Sequence, residues 1–284
     1  MLVAGSLTID TTLGRHLRTL GGVATYGALT FARHGLQTTA AFRLAPSESW
    51  AADRLERLGV STLLRPSACT TRFVQSCDGE LREQWMPDAA QAIDAAQLCP
   101  VLQPGLHVHF GPLHPGDIAP EVFLAPGLDR CVVSLDIQGL VRACDVARIY
   151  PAVSPDLAQA LQVARFVKAS DAEMDLVCRS WGQTETQLID RFGLETLLVT
   201  SGSRGGRAVH CDGSVCEFRA APAHPVIDTT GAGDVFFAAW LARRLHVGDS
   251  MRAACRHAAD TAALHVQGRW LAPAAIEVCE HAEP

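Results

Sequence analysis

The chain has 284 residues, of which 48% are hydrophobic and 19% charged. That is enough apolar material for one large α/β domain with a deep core, and too much for a disordered chain. The net charge is −6 and no basic run occurs, which argues against a nucleic-acid partner because such a surface needs clustered cations.

The ten cysteines include no C-x-x-C pair and several lie inside apolar runs, so the expectation is reduced thiols, with neither a disulfide framework nor a zinc site. The N-terminal MLVAGSLTID lacks a basic n-region and reads as a core strand. No run reaches the roughly 18 apolar residues of a membrane helix, so a cytoplasmic protein with no membrane partner is expected.

In chain order, residues 2–9 read as a first buried strand that ends at Asp10. A polar stretch over 11–20 leads to Gly21-Gly22, after which VATYGALTFARHGL has helical apolar spacing and stops at Gly35. Residues 38–44 read as a strand and 47–59 as an amphipathic helix closed by Gly59. Two β-like runs flank Asp78-Gly79, a hairpin signal, and read as a flap standing off the core. Strands follow at 105–111, 131–137, 164–170 and 195–200, the last entering a glycine-rich loop. A hairpin around Asp212-Gly213 and two helices, 235–245 and 251–268, complete the pattern. The rhythm predicts one domain over 1–284, a three-layer α/β/α core with a small β lid built from about 11–20 and 69–88.

The most informative segment is Asp228-Thr229-Thr230-Gly231-Ala232-Gly233-Asp234, set before an almost purely apolar helix. The first turn of a helix has unpaired N–H groups and partial positive charge. Gly231, Ala232 and Gly233 can therefore surround a phosphoryl group with donors, while Asp234 at the same point can accept a hydroxyl proton. A plain N-cap and turn is the competing reading of the same residues. A dehydrogenase is not supported, because no G-x-G-x-x-G follows the first strand.

DTTGAGDVFFAAWL resembles the C-terminal signature of the ribokinase/PfkB carbohydrate kinases. Gly21-Gly22 before a helix resembles the family's N-terminal signature, LLVTSGSRGGRAV its ATP-contacting strand and loop, and VKASDAE the segment of its Asn-x-x-Glu motif. The resemblance implies ATP as donor, with Mg²⁺, and a sugar or cyclitol hydroxyl as acceptor. It makes Asp234 the general base and the backbone of 231–233 the anion hole. It assigns ATP contacts to Thr200, Gly202, Gly205, Gly231 and Gly233, and water-mediated Mg²⁺ holding to Glu173. Ser170 stands at the family's Asn position.

Substrate contacts are implied for Asp10, Gly21, Gly22 and Tyr26, the last standing where the family commonly has Asn. Asp136 and Gln138, with Arg142 after them, resemble a stretch of the inositol-type kinases and point to a cyclitol or unusual sugar. Phe73 and Trp85 are candidates to cover the substrate. In several relatives the loop matching Asp228 and Thr229 lines a site for a monovalent cation such as K⁺, and some relatives pair as homodimers through their flaps. Two alternatives stand beside this reading: a nucleoside kinase on the same fold, which the 6% aromatic content supports little, and a non-catalytic sugar- or nucleotide-sensing protein.

Overall fold

The computed structural model describes residues 1–13, 18–78 and 81–278. In chain order its strands are β1 (Leu2–Ala4), β2 (Thr8–Thr12), β3 (Arg18–Gly21), β4 (Thr39–Leu44), β5 (Ser61–Pro66), β6 (Thr71–Asp78), β7 (Leu81–Asp88), β8 (His107–Phe110), β9 (Val132–Asp136), β10 (Arg142–Asp145), β11 (Arg148–Pro151), β12 (Phe166–Ser170), β13 (Thr196–Thr200), β14 (Gly206–His210), β15 (Val215–Phe218) and β16 (Glu277–Val278). The helices are α1 (Val23–Arg33), α2 (Trp50–Arg57), α3 (Ala95–Leu98), α4 (Leu157–Val163), α5 (Asp171–Trp181), α6 (Glu185–Phe192), α7 (Ala232–Leu241), α8 (Met251–Val266) and α9 (Pro273–Ile276).

Nine strands form the main sheet in the order β15-β14-β13-β12-β9-β8-β1-β4-β5, parallel from β5 through β13 and antiparallel at β14 and β15. Strand side chains alternate between faces, so each buried strand feeds two cores. Val3, Phe166 and Leu198 pack with apolar residues of α1, α2, α7 and α8. Their neighbours Leu2, Ala4, Val167, Leu197 and Val199 pack on the other face with α4, α5 and α6. The result is the expected three-layer α/β/α arrangement. Helices α5 and α6 start with capping boxes, Ser170/Glu173 and Thr184/Gln187, and end on left-handed Gly182 and Gly193. From Val235 to Leu241 α7 is buried all round, packed between α1 and α8, which explains why its sequence lacks a polar stripe.

A second sheet has the order β10-β11-β7-β6-β2-β3-β16. It contains the hairpin read around Asp78-Gly79, although Gly79 itself lies outside the described residues, as do 14–17 of the expected lid segment.

One sequence reading is corrected, and one hairpin lies outside what the sequence reading covered. The single strand expected over 2–9 is two strands in different sheets: the chain leaves β1 at Gly5, where a Cβ would meet the Gly111 carbonyl and Val23, and enters the second sheet as β2. Asp10 thus sits on β2 between Thr19 and Phe73, away from the end of a core strand. The β10–β11 hairpin was not expected, because its turn passes through Val146 and Ala147 with φ of 44° and 69°, where no Gly, Asn or Asp marks the left-handed residues.

Candidate active site

The loop before α7 is held by its own side chains. Asp228 Oδ1 accepts from both the Thr230 N–H and the Thr230 hydroxyl, each at 2.8 Å. Gly231 caps the helix at φ 73°, a left-handed conformation that suits glycine, and a Cβ there would fall inside the Tyr26 ring. His265 Nε2 lies 2.8 Å from the Thr230 carbonyl, and since a carbonyl only accepts, this nitrogen carries the proton. Burial lowers the His265 pKa and keeps the ring neutral.

This bracing decides which N–H groups are available. The Ala232 N–H already bonds the Thr229 carbonyl at 3.2 Å, closing a turn. Among the described residues no acceptor takes the N–H of Gly231, Gly233 or Asp234, and the Thr230 carbonyl that Asp234 would normally use is occupied by His265. Of the 231–233 donors expected to form an anion hole, Ala232 is thus spent on the turn, and the N–H groups left without an acceptor are those of 231, 233 and 234.

Two cavities meet at this point. One, of about 370 Å³, is polar and is walled by both sheets. The second sheet contributes Asp10, Phe73, Gln75 and Gln84; the main sheet and its connections contribute Asp136, Gln138, Arg142 and Lys168; the loop and α7 contribute Thr229 to Asp234. Gly22 and Tyr26 also line it. Gly21 does not line it but lies behind Asp10, since a Cβ at Gly21 would collide with the Asp10 carboxylate. Trp85 is not among the lining residues.

The charged centre of this cavity is a trio. Lys168 Nζ donates to Asp136 Oδ2 at 2.8 Å, with side-chain exposures of only 7% and 3%. Burial alone would strip the charge from Lys168, but the Asp136 carboxylate, with Glu173 and Asp234, outweighs it and raises the lysine pKa. Asp234, in the first turn of α7, is pushed up to about 7 by burial and by the Asp136 charge, while Lys168 and Arg142 pull the other way. A carboxylate poised there exchanges protons near neutrality, as a general base for a hydroxyl requires. Lys168 also sets the second glycine: a Cβ on Gly233 would stand 2.9 Å from its Nζ.

The second cavity, of about 500 Å³, is mainly apolar. Thr200, Gly202 and Gly205 form one wall, Phe218, Ala220 to Ala223 and Val226 another, and Ala259, Ala262, Ala263 and Val266 of α8 a third. Its floor is Thr229, Ala232, Gly233 and Phe236. Gly205 permits the close β-turn, with φ 102° and the Phe218 carbonyl where a side chain would be.

Glu173 lines neither cavity. Its Oε2 accepts from the Ser170 N–H at 2.7 Å, so Ser170 and Glu173 cap α5 together. Glu173 Oε1 has no hydrogen-bond partner among the described residues, which fits a water-mediated hold on Mg²⁺. Beside the loop at Asp228 and Thr229 lies a cavity of about 70 Å³, lined by Asp228, Thr230 and Glu277 as well as by Ile227, Leu271, Pro273 and Ile276, and the Thr230 carbonyl there accepts from the His265 N–H.

Sequence reasoning missed Gln75, Gln84, Lys168 and His265. Lys168 alone had a signal, a lysine inside the otherwise apolar strand run FVKAS two residues before Ser170.

Comparison with known proteins supports a phosphotransferase acting on a hydroxyl acceptor. Residues 139–273 match the family model described as pfkB family carbohydrate kinase, which bears out the ribokinase/PfkB resemblance carried by Asp228–Asp234. No curated protein matches the chain by sequence. Solved structures share the fold along nearly all of it. A pyrophosphate-dependent kinase in the ribokinase family, complexed with a pyrophosphate analog and myo-inositol, is 23% identical, with 94% of this chain and 95% of that one covered at TM-score 0.80. The Burkholderia thailandensis nucleoside kinase in complex with inosine is 21% identical, covering 96% and 93%, at TM-score 0.78. Ribokinase from Thermotoga maritima is 18% identical, covering 97% and 95%, at TM-score 0.70.

Proposed function

We propose that the protein is an ATP-dependent kinase for a cyclitol or sugar hydroxyl, with Asp234 as general base. The observation that carries this reading is the meeting of a polar and an apolar cavity at Gly233, with Asp234 on the polar side. The polar cavity offers Asp10, Gln75, Gln84, Asp136 and Gln138, carboxylates and amides that suit a ring of hydroxyls. Phe73 and Tyr26 are the aromatic residues among those lining it, and the polar and charged ones outnumber them, which favours a polyol over a nucleoside acceptor.

The donor follows from the other cavity. Pyrophosphate, the donor named for one relative, has no apolar part. An apolar space of about 500 Å³ opening on the anion hole suits a purine and ribose, so ATP is the better match.

In this mechanism the acceptor sits in the polar cavity with one hydroxyl on Asp234. Asp234 takes the proton as the oxygen attacks the γ-phosphorus. The N–H groups of Gly231, Gly233 and Asp234 stabilise the charge on the transferring group. Glu173 would hold Mg²⁺ through water, and bound Mg²⁺ supplies charge neutralisation at the donor phosphates. The second sheet lies over the acceptor and excludes water as a competing nucleophile.

The test is product formation from Mg-ATP, and separately from pyrophosphate, across a panel of cyclitols, sugars and nucleosides. The reading expects ADP and a phosphorylated polyol. Turnover confined to nucleosides, or to pyrophosphate as donor, would replace it, and ATP binding without turnover on any acceptor would favour the sensor.

A further inference from the structure

Lys168 has no role in the mechanism above, yet it is the most unusual charge in the molecule. It is 5% exposed, and Asp136 is the one hydrogen-bond partner of its ammonium among the described residues. Both project into the polar cavity from register-paired positions on adjacent strands, β12 and β9.

A structural role explains this arrangement badly. The parallel ladder between β9 and β12 already joins the two strands, so the ion pair is not needed to do so. A buried ion pair is weak evidence for stability, because desolvation consumes most of the attraction. The pair also imposes a requirement elsewhere, since Gly233 must stay without a side chain to leave room for the ammonium. Lys168 Nζ thus stands on the side-chain side of Gly233, 2.9 Å from where a Cβ would be, and no acceptor among the described residues uses the N–H of Gly233 itself.

We propose that Lys168 is a catalytic residue of the phosphoryl transfer, its ammonium pinned by Asp136 beside Gly233 so that it contacts the transferring phosphoryl group. The inference rests on the kinase reading of this site. In the step itself the acceptor O–H proton passes to the Asp234 carboxylate and the acceptor oxygen forms the new O–P bond. The bond from the γ-phosphorus to the β,γ-bridging oxygen breaks, and ADP leaves with its electron pair. Lys168 keeps all its protons; one N–H stays on Asp136 and the others point at phosphoryl oxygens. A fixed cation in a site shielded from water acts most strongly where negative charge is in transit. Asp136 then has two tasks: it lines the acceptor cavity and it aims Lys168.

The experiment uses Lys168→Met, close in length and without charge, alongside wild type with Mg-ATP and the best acceptor. With wild-type turnover as the control for the kinase reading itself, Lys168→Met should lose on the order of 100-fold or more in kcat. Affinity for ADP alone should stay within about threefold, while the gain in affinity when aluminium fluoride is added to ADP and acceptor, a mimic of the group in flight, should vanish. Should the orphaned Asp136 carboxylate prevent folding, the double variant Lys168→Met/Asp136→Asn removes both charges, and its fluoride response reads the same property. A folded Lys168→Met enzyme with kcat within about threefold of wild type overturns the proposal. So does a slow variant that retains the full fluoride-dependent gain, since that pattern belongs to a lysine that only supports the fold.

Discussion

The polar and apolar cavities share Thr229, Ala232 and Gly233 and otherwise have no residue in common. The polar one is assembled from both sheets and holds Asp10, Asp136, Asp234, Arg142 and Lys168. The apolar one draws on the main sheet's antiparallel end and on α8, and none of its lining residues is charged. The contrast matches what each ligand would need. A polyol is recognised hydroxyl by hydroxyl, which takes directional polar groups, whereas a purine is recognised chiefly by its faces, which takes shape and small apolar side chains. The seam between them is where the charge is to move, and there the chain offers backbone N–H groups and one carboxylate.

Substitutions at the seam should disturb both sides at once. Gly231→Ala places a Cβ inside the Tyr26 ring and a non-glycine residue at φ 73°, so it should lower stability by about 1–3 kcal/mol and reduce turnover. Gly233→Ala has no such backbone strain but pushes on Lys168 Nζ. Its expected signature is a fall in kcat of about 10- to 100-fold with little change in melting temperature. A loss of stability without loss of kcat would break the link between Gly233 and Lys168.

Substitutions on either side should separate. Ala262→Phe fills the apolar cavity and should raise the KM for ATP about tenfold or more, leaving the acceptor KM within about twofold. Gln138→Ala on the polar side should do the reverse, raising the acceptor KM by about 3- to 30-fold through one lost hydrogen bond. Equal effects on both ligands from either variant would mean that the two cavities are not two sites.

The pH response has a defined sign. With the Asp234 pKa near 7, kcat/KM should fall about tenfold per pH unit below that value as the base becomes protonated. Because the folded-state pKa is raised from 3.8 to about 7, ionising Asp234 costs stability, and that cost builds up as pH rises between these two values and is complete above about 7. Asp234→Asn should therefore melt above wild type at pH 8, with the gap narrowing towards pH 5.

The two sides also differed in how readably the sequence encodes them. The seam is contiguous, Asp228 to Asp234, and so was legible as a motif, as was Thr200 to Gly205 after a buried strand. The polar cavity was legible only in part, because Gln75, Gln84 and Lys168 arrive from three strands that the second sheet and β12 bring together. The break at Gly5 was hidden in a run whose apolar residues serve two sheets, and the turn at Val146-Ala147 has no local preference for its shape. That Ala232 spends its N–H on Thr229, and that His265 occupies the Thr230 carbonyl, are consequences of packing with no local sequence signature.

The central claim is that Asp234 removes the proton from an acceptor hydroxyl at this seam. Its most direct test is steady-state turnover of Asp234→Asn, with ATP affinity measured on the same preparation. The account predicts a loss of about 10²- to 10⁴-fold in kcat with ATP affinity within about threefold of wild type. Turnover within about tenfold of wild type, in a protein that binds ATP normally, would contradict it.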